Sequence, residues 1–371
     1  MLTLLKNIEC FCPRHCGKKD ILIASDKICK ITPPDELYEP KLIENIVSCK
    51  NLLGFPGLID QHAHITGGGG EEGFQSRASE ADARDILAAG VTTVVGLLGA
   101  DGLTRSLENL YAKAKELEAR GITTYIYSGS YTVPIVTFTG SIARDLVLID
   151  KVIGAGEIAI SDHRSSCPDL NEMLRLASEA HLGGLLSGKA GILHLHVGDG
   201  RAGLGLLRRM VRESDLSTDQ FMPTHLNRNP SLFHEGLDYC RSGGNIDLTA
   251  GETAGVPVPE AILQILAEGV DLKSVTISSD SYGSIPSGGI AKIRVLYDDL
   301  RSCILDRHLS PETVFPLATE NVSRRLRLYP AKGVLREGSD ADILITDRQY
   351  NIQMLFCRGK LLYNNASAAG R

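Results

Sequence analysis

The stretch Gly57-Leu58-Ile59-Asp60-Gln61-His62-Ala63-His64 is an apolar run that follows Pro56 and ends in two histidines two residues apart. Read as a strand, it sends alternate side chains to opposite faces, so His62 and His64 share one. In a closed parallel barrel that face is the interior, and the strand's C-terminal end is the mouth where active sites lie. Two neutral imidazoles at that mouth can hold one zinc ion.

Outward from this stretch, the middle of the chain repeats a strand-then-helix rhythm. The predicted strands are Leu58–His64, Thr92–Leu98, Thr123–Ser128, Ile158–Asp162, Ile192–Val197, Phe221–Leu226, Asn245–Thr249 and Val275–Ser279. Amphipathic segments follow them at Glu80–Ala89, Ser106–Arg120, Ala143–Ile153, Asp169–Ala180, Ala202–Glu213, Ser231–Ser242, Pro259–Glu268 and Ile290–Asp306. Glycines 90, 121, 154, 243 and 269 close several of them, as helix C-caps do. Eight such pairs predict an α/β fold of the (β/α)8, TIM-like barrel type over residues 55–331. An open doubly wound sheet is the alternative, but no G-x-G-x-x-G follows the first strand, so nothing supports a dinucleotide site. The two ends differ in texture. Short β-rich runs without helical periodicity fill residues 1–54 and return in 332–371, which predicts one small β-sandwich made from both termini.

Other strand ends add chemistry to the two histidines. His196, His225 and Asp280 each close a different predicted strand. A single histidine usually reads as a hydrogen-bonded core or surface residue. Four of them with an aspartate, all at strand C-termini, read as a metal site. His194 shares a face with His196 one layer deeper and reads as packing. His181, His234 and His308 read as helix-surface residues, and His15 as a turn residue. Two metals need a bridging anion. Glu157, just ahead of the predicted fourth strand, can supply it; its other reading is a solvated charge at a strand start. Cys10, Cys12 and Cys16, with His15, read either as a metal knuckle or as a strand end turning toward a strand at Asp20–Ser25. No second cysteine pair at knuckle spacing follows nearby.

Composition narrows the class. The 371 residues carry a net charge of -6 and no Lys/Arg block, which argues against nucleic acid as the main partner. The start has too short an apolar stretch for a signal peptide, and no run approaches the roughly 18 apolar residues of a membrane helix. Nine scattered cysteines, an odd number, suit a reducing cytosol, so a cytoplasmic protein without a membrane partner is expected.

With these ligands, His62-Ala63-His64 resembles the amidohydrolase superfamily. The match narrows with His64-Ile65-Thr66-Gly67-Gly68-Gly69-Gly70-Glu71, Val95-Gly96-Leu97-Leu98-Gly99, Ser161-Asp162-His163-Arg164-Ser165, Pro223-Thr224-His225-Leu226-Asn227-Arg228-Asn229 and the ending Gly338-Ser339-Asp340-Ala341-Asp342-Ile343. Together, over nearly the whole chain, these resemble the isoaspartyl (β-aspartyl) dipeptidases.

The resemblance implies a metallopeptidase with two zinc ions per chain, bridged by Glu157 and a hydroxide that attacks the side-chain amide carbonyl of an isoaspartyl dipeptide. It implies that His62 and His64 bind the more buried ion and His196 and His225 the more exposed one. Asp280 would contact the buried ion and shuttle the proton, while Tyr131 would polarise the carbonyl. Glu71 would take the substrate ammonium; Arg164, Arg228 and Ser284 would hold carboxylate, and Gly69 would offer a backbone contact. The resemblance also implies a homo-oligomer.

Two departures stand out. Glu157 occupies the place of a carboxylated lysine, Lys151 and Lys189 being out of register, and Ala100 stands where family members can present a threonine. A cyclic-amide hydrolase or N-acyl amino acid deacylase on the same fold is the second functional reading. A non-catalytic barrel serving as a binding subunit is the third. Glu71, Arg164 and Arg228 suit a doubly charged zwitterion better than a neutral ring.

Overall fold

Both ends of the chain carry short runs rich in Ile and Leu, and both enter one sheet. Residues 2–36, 42–285 and 289–365 are described by the computed structural model; residues 1, 37–41 and 366–371 of the two predicted terminal stretches lie outside the described residues. The strands are β1 (Leu2–Phe11), β2 (His15–Ala24), β3 (Lys27–Thr32), β4 (Asn45–Ser48) and β5 (Leu53–Pro56). Eight strands of the central region follow: β6 (Leu58–Ala63), β7 (Val91–Gly96), β8 (Thr123–Ser128), β9 (Val152–Ile160), β10 (Ile192–Val197), β11 (Phe221–Thr224), β12 (Ile246–Thr249) and β13 (Val275–Ser278). The last three are β14 (Ile343–Thr346), β15 (Ile352–Cys357) and β16 (Lys360–Asn364).

The terminal strands form an eight-stranded sheet in the order β16-β15-β14-β5-β1-β2-β3, with β4 on β1. Ile28 N–H donates to Ser339 and Gly338 N–H to Ile28, which ties the β3 edge back to the C-terminal segment. The sheet therefore folds over its own apolar core of Leu5, Ile8, Ile21, Ile23, Ile28, Ile343 and Phe356. His15 opens β2 rather than sitting in the turn; its ring meets Glu9 and its N–H donates to Glu312. Cys12 Sγ and Cys16 Sγ lie 2.7 Å apart across this hairpin.

The strands β6 to β13 stand in chain order around a parallel barrel, with six in one hydrogen-bonded sheet and β12–β13 in another. Helices α1 (Ala83–Ala88), α2 (Leu107–Ala119), α3 (Ile142–Leu148), α4 (Leu170–Ser187), α5 (Gly205–Arg212), α6 (Pro230–Arg241), α7 (Val258–Ala267) and α8 (Arg294–Leu305) alternate with them. Their starts follow local capping chemistry. Asp169 and Glu172 form a reciprocal capping box on α4, and Asn229 caps α6 ahead of Pro230. His308 lies in the loop after α8 rather than on a helix.

The two seams between the barrel sheets combine single backbone bonds, His64 N–H to Ser281 and Leu226 N–H to Asp247, with side-chain bonds. Asp60 accepts from the N–H groups of His62 and Ser279 between β6 and β13. Asn227 accepts from Thr249 N–H and donates to the carbonyls of Thr249 and Val256 beside β12. Buried backbone donors left by the interrupted ladder are thereby satisfied.

Strand β9 departs from expectation. It starts at Val152, six residues before the predicted start at Ile158, and α3 ends at Leu148 rather than Ile153. Gly154-Ala155-Gly156 reads as a helix end and turn, yet it forms a buried strand with a bulge. Leu193 pairs with Ala155 and Leu195 with Ile158, so β9 carries one extra residue there. Gly156 takes φ +134°, and a Cβ on it would stand 2.4 Å from the His194 carbonyl oxygen, so only glycine fits.

Lys332 locks the C-terminal segment. It is 4% exposed, and its ammonium contacts Asp342 at 2.6 Å and Asp340 at 2.8 Å. Burial pushes it down, but those two carboxylates hold its pKa above the ordinary lysine value. Lys332→Met should cost about 3–5 kcal/mol, because it leaves the buried Asp342 carboxylate without its cation. Denaturant unfolding checks this, with Lys30→Met at the exposed Glu337 pair as a control expected to change little.

Candidate metal centre

The barrel mouth gathers side chains from five strands or their ends. Glu157, carried inward by the β9 bulge, is fully buried. Its Oε1 lies 3.5 Å from His62 Nε2 and 3.5 Å from His64 Nε2. Its Oε2 lies 3.2 Å from His196 Nδ1 and 3.7 Å from His225 Nε2. One carboxylate thus faces one histidine pair with each oxygen. Asp280 Oδ1 sits 3.2 Å from His62 Nε2 and 3.0 Å from His64 Nε2. Glu157 lies inside a buried strand, so it is neither ahead of the strand nor a solvated charge at its start.

The local backbone explains the aim of these groups. β6 has a bulge of its own, since Asp60 pairs with Val94 and Ala63 with Gly96. Strict alternation therefore fails there, and Gln61 reaches Asp247 and Thr276 from a buried position. His62 and His64 still converge, with ring centroids 5.4 Å apart. His225 and Asp280 take positive φ, at 65° and 49°. Such strained positions are held only where surrounding structure determines them, and they cluster at functional sites.

Electrostatics suit a cation. Burial, with Arg228 next, pushes the His225 imidazole down to about 3, which keeps it neutral. Burial opposes charge on His62, but Glu157 and Asp280 outweigh it and favour a positive group at that spot. Burial pushes Glu157 up, yet the histidines around it hold it well below the usual carboxylate range. Neutral imidazoles and ionised carboxylates are the forms that bind a metal. His62 Nε2, His225 Nε2 and Glu157 Oε1 are buried without a hydrogen-bond partner. Buried polar atoms are rarely left so; with Asp280 and His64 they form two sets of atoms close enough to hold an ion among the described residues, His62–His64–Asp280 and His62–Glu157–His225. The donor set fits a divalent metal.

Above the cluster lies a cavity of about 440 Å³, lined by Gly69, Glu71, Ala100, Tyr131, Arg164, Arg228 and Ser284 among others. Glu71 Oε1 accepts from Arg164 at 3.2 Å and from the Ser284 hydroxyl at 3.1 Å. Tyr131 OH lies 2.8 Å from His196 Nδ1. Burial, and after it Glu157, keeps its pKa well above the ordinary tyrosine value, so it remains a hydroxyl donor.

Two solved structures match this chain over its length. Both are of the β-aspartyl dipeptidase of the thermophilic, keratin-degrading Fervidobacterium islandicum AW-1. One is 43% identical, covers 98% of each chain and has a TM-score of 0.92. The other, in complex with a β-Asp-Leu dipeptide, is 44% identical, with coverage of 98% of this chain and 97% of that one and the same TM-score.

This chain belongs to the β-aspartyl dipeptidase family.

The amidohydrolase family model matches residues 239–362. A dihydropyrimidinase from Brevibacillus agri NCHU1002 shares the fold, at 14% identity, TM-score 0.68 and coverage of 98% of this chain and 95% of that one. A dihydroorotase from Pediococcus pentosaceus is 29% identical over 167 residues, which is 44% of this chain and only 35% of that protein's length.

Other residues around the cluster had roles that were not legible in the sequence. Asp162, 3% exposed in its side chain, accepts from Arg164 Nε at 2.9 Å and meets His196 Nε2 at 2.9 Å. Burial pushes it up, but Arg164 and His196 hold it far below the usual range. It links the imidazole whose other nitrogen faces Glu157 to the arginine on the cavity wall, a carboxylate–histidine arrangement that orients metal ligands. Arg105 is 6% exposed and donates to the carbonyls of Thr66, Gly68 and Ala78, fixing the glycine-rich loop. His194 does more than pack: its Nε2 lies 2.9 Å from His62 Nδ1, and its ring stacks on Tyr127. Lys151 and Lys189 are committed elsewhere, to Glu118 and Thr124 and to the carbonyls of Leu146 and Ile149.

Proposed function

We propose that the protein hydrolyses isoaspartyl dipeptides at a binuclear zinc centre. The observation that carries this reading is Glu157, one oxygen toward each histidine pair, beneath a cavity whose wall pairs Glu71 with Arg164 and Ser284. His62 and His64 would hold one ion and His196 and His225 the other, with Glu157 between them and Asp280 beside the first pair. Bound there, such ions supply a nucleophile from water at neutral pH and polarise the scissile carbonyl.

The chain's own groups do the rest. Asp280 accepts the proton of the attacking water and returns it to the leaving amine. Tyr131 donates to the oxygen on which negative charge develops; such a donor is worth about 2.7–4 kcal/mol. Glu71 takes the α-ammonium. Arg164 and Arg228, whose planar guanidinium groups suit bidentate pairing, take carboxylate. Ser284 adds a hydroxyl, and the Gly69 backbone closes the near wall.

No described helix is long and apolar enough to cross a membrane, and nine free thiols suit a reducing, cytoplasmic setting. Leu148 on α3 and Leu182, Leu185 and Leu186 on the adjoining α4 are exposed, a surface that self-assembly into a homo-oligomer would cover.

The test is a substrate panel on metal-replete protein. A site built around charged groups rejects analogues that leave those groups unpaired. An isoaspartyl dipeptide should exceed its α-linked isomer and its N-acetylated form in kcat/KM by about 10⁴-fold. A preference for a hydantoin, a dihydropyrimidine or an N-acyl amino acid would overturn the dipeptidase reading.

A further inference from the structure

His194 stands on β10 two residues before His196, and its side chain is fully buried. Its neighbours fix its place. The β9 bulge brings Gly156 so close that a Cβ there would lie 2.4 Å from the His194 carbonyl oxygen and 3.0 Å from the His194 Cβ. From β8, Tyr127 stacks on the imidazole, with ring centroids 5.0 Å apart and planes 18° from parallel. Toward β6, His194 Nε2 lies 2.9 Å from His62 Nδ1, and the two rings meet edge to face. The other ring nitrogen, His194 Nδ1, is buried without a hydrogen-bond partner among the described residues. An imidazole that only filled the core would gain nothing from this arrangement. Leucine or methionine packs there without leaving a buried polar atom unpaired.

The contact constrains His62, on the reading that His62 and His64 hold one of two metal ions. His62 turns Nε2 to the cluster, 3.2 Å from Asp280 Oδ1 and 3.5 Å from Glu157 Oε1. A neutral imidazole carries one hydrogen, and the nitrogen that carries it has no lone pair for a metal. The hydrogen of a metal-binding His62 therefore sits on Nδ1, and the hydrogen bond made there decides which nitrogen is left for the ion. A carboxylate, a backbone carbonyl or a water usually accepts that hydrogen. Here the group at hydrogen-bond distance is another imidazole. We propose that His194 is a positioning residue of the metal centre: its Nε2 accepts from His62 Nδ1–H and so holds His62 with the Nε2 lone pair facing the ion. Being uncharged, it does this without adding a further negative charge beside Glu157 and Asp280. The hydrogen of His194 is then on Nδ1. With the hydrogen on His194 Nε2 instead, His62 would carry its own on Nε2 and be closed to the ion.

The experiment measures the zinc affinity of the full-length protein by competition with a chromophoric chelator, in wild type, His194→Gln and His194→Met. Glutamine can bring an amide oxygen to the place of Nε2, whereas the methionine sulfur fills the space as a weak acceptor. His194→Met should weaken the binding of one zinc ion by about 10–100-fold, the range for groups that orient metal ligands. His194→Gln should recover most of that loss. Urea unfolding of the zinc-free forms reports folding, and His194→Leu is a second variant without an acceptor. Zinc affinity unchanged in the Met and Leu variants, or lost equally in Gln, Met and Leu, would mark a packing role and overturn the inference while the metal centre stood. Wild type that takes up no zinc would overturn both readings.

Discussion

Asp280→Asn is expected to lower kcat by about 10²–10⁴-fold, the usual contribution of a positioned acid or base, with KM little changed. Burial pushes the Asp280 carboxyl up, but His62 and His225 hold it well below the usual range, so it is ionised and able to accept a proton. Asparagine keeps the shape and loses that capacity. Glu71, Arg164, Tyr131 and Arg228 are untouched, so ground-state contacts persist, and a fall in kcat without a rise in KM marks an interaction needed only in the transition state. Asp280 also lies 3.0 Å from His64 Nε2, so metal content is measured on the same sample. Near-normal turnover at full metal content would remove Asp280 from the mechanism.

Glu157→Gln carries the second large effect. The carboxylate is buried, each oxygen faces a different histidine pair, and Oε1 has no hydrogen-bond partner. Glutamine keeps the volume but replaces one oxygen with an NH2 that repels a cation. Metal affinity should fall by at least about 10–100-fold, the range seen even for groups one step further from a metal, and activity should fall with it. Glu157→Lys is the sharper probe. If the bulge accommodates a lysine, bicarbonate should restore part of both through a carbamate of the same charge. Unchanged metal content and activity in Glu157→Gln would leave this residue as a buried charge with no bridging role.

The parts legible in the sequence are those where chemistry sits at the end of a patterned run. His62, His64, His196, His225 and Asp280 each follow an apolar stretch that ends at the barrel mouth, so their place at strand ends was legible, although the bulge in β6 breaks the strict alternation that the sequence suggests. The eight strand–helix pairs were legible for the same reason. Glu157 stood out by charge, but its strand did not, because Gly154-Ala155-Gly156 has the composition of a turn. Only the pairing with β10, which buries the segment and demands glycine at 156, makes it a bulged strand. Asp162, Arg105, Asp60 and Asn227 were silent because their roles depend on partners far along the chain. An aspartate that spans a barrel seam and one that faces solvent look the same in a sequence. His194 read as packing because its partner, His62, is 132 residues away, and nothing local announces that contact.

The metal-to-chain ratio of protein expressed with ample zinc and then freed of loosely bound ions tests the central claim most directly, read together with β-aspartyl dipeptide hydrolysis on the same sample. Two histidine pairs and a shared carboxylate predict a ratio close to that of a binuclear site, about two ions per chain, and loss of hydrolysis when those ions are stripped. Hydrolysis that persists at full rate with a ratio near zero would contradict the account.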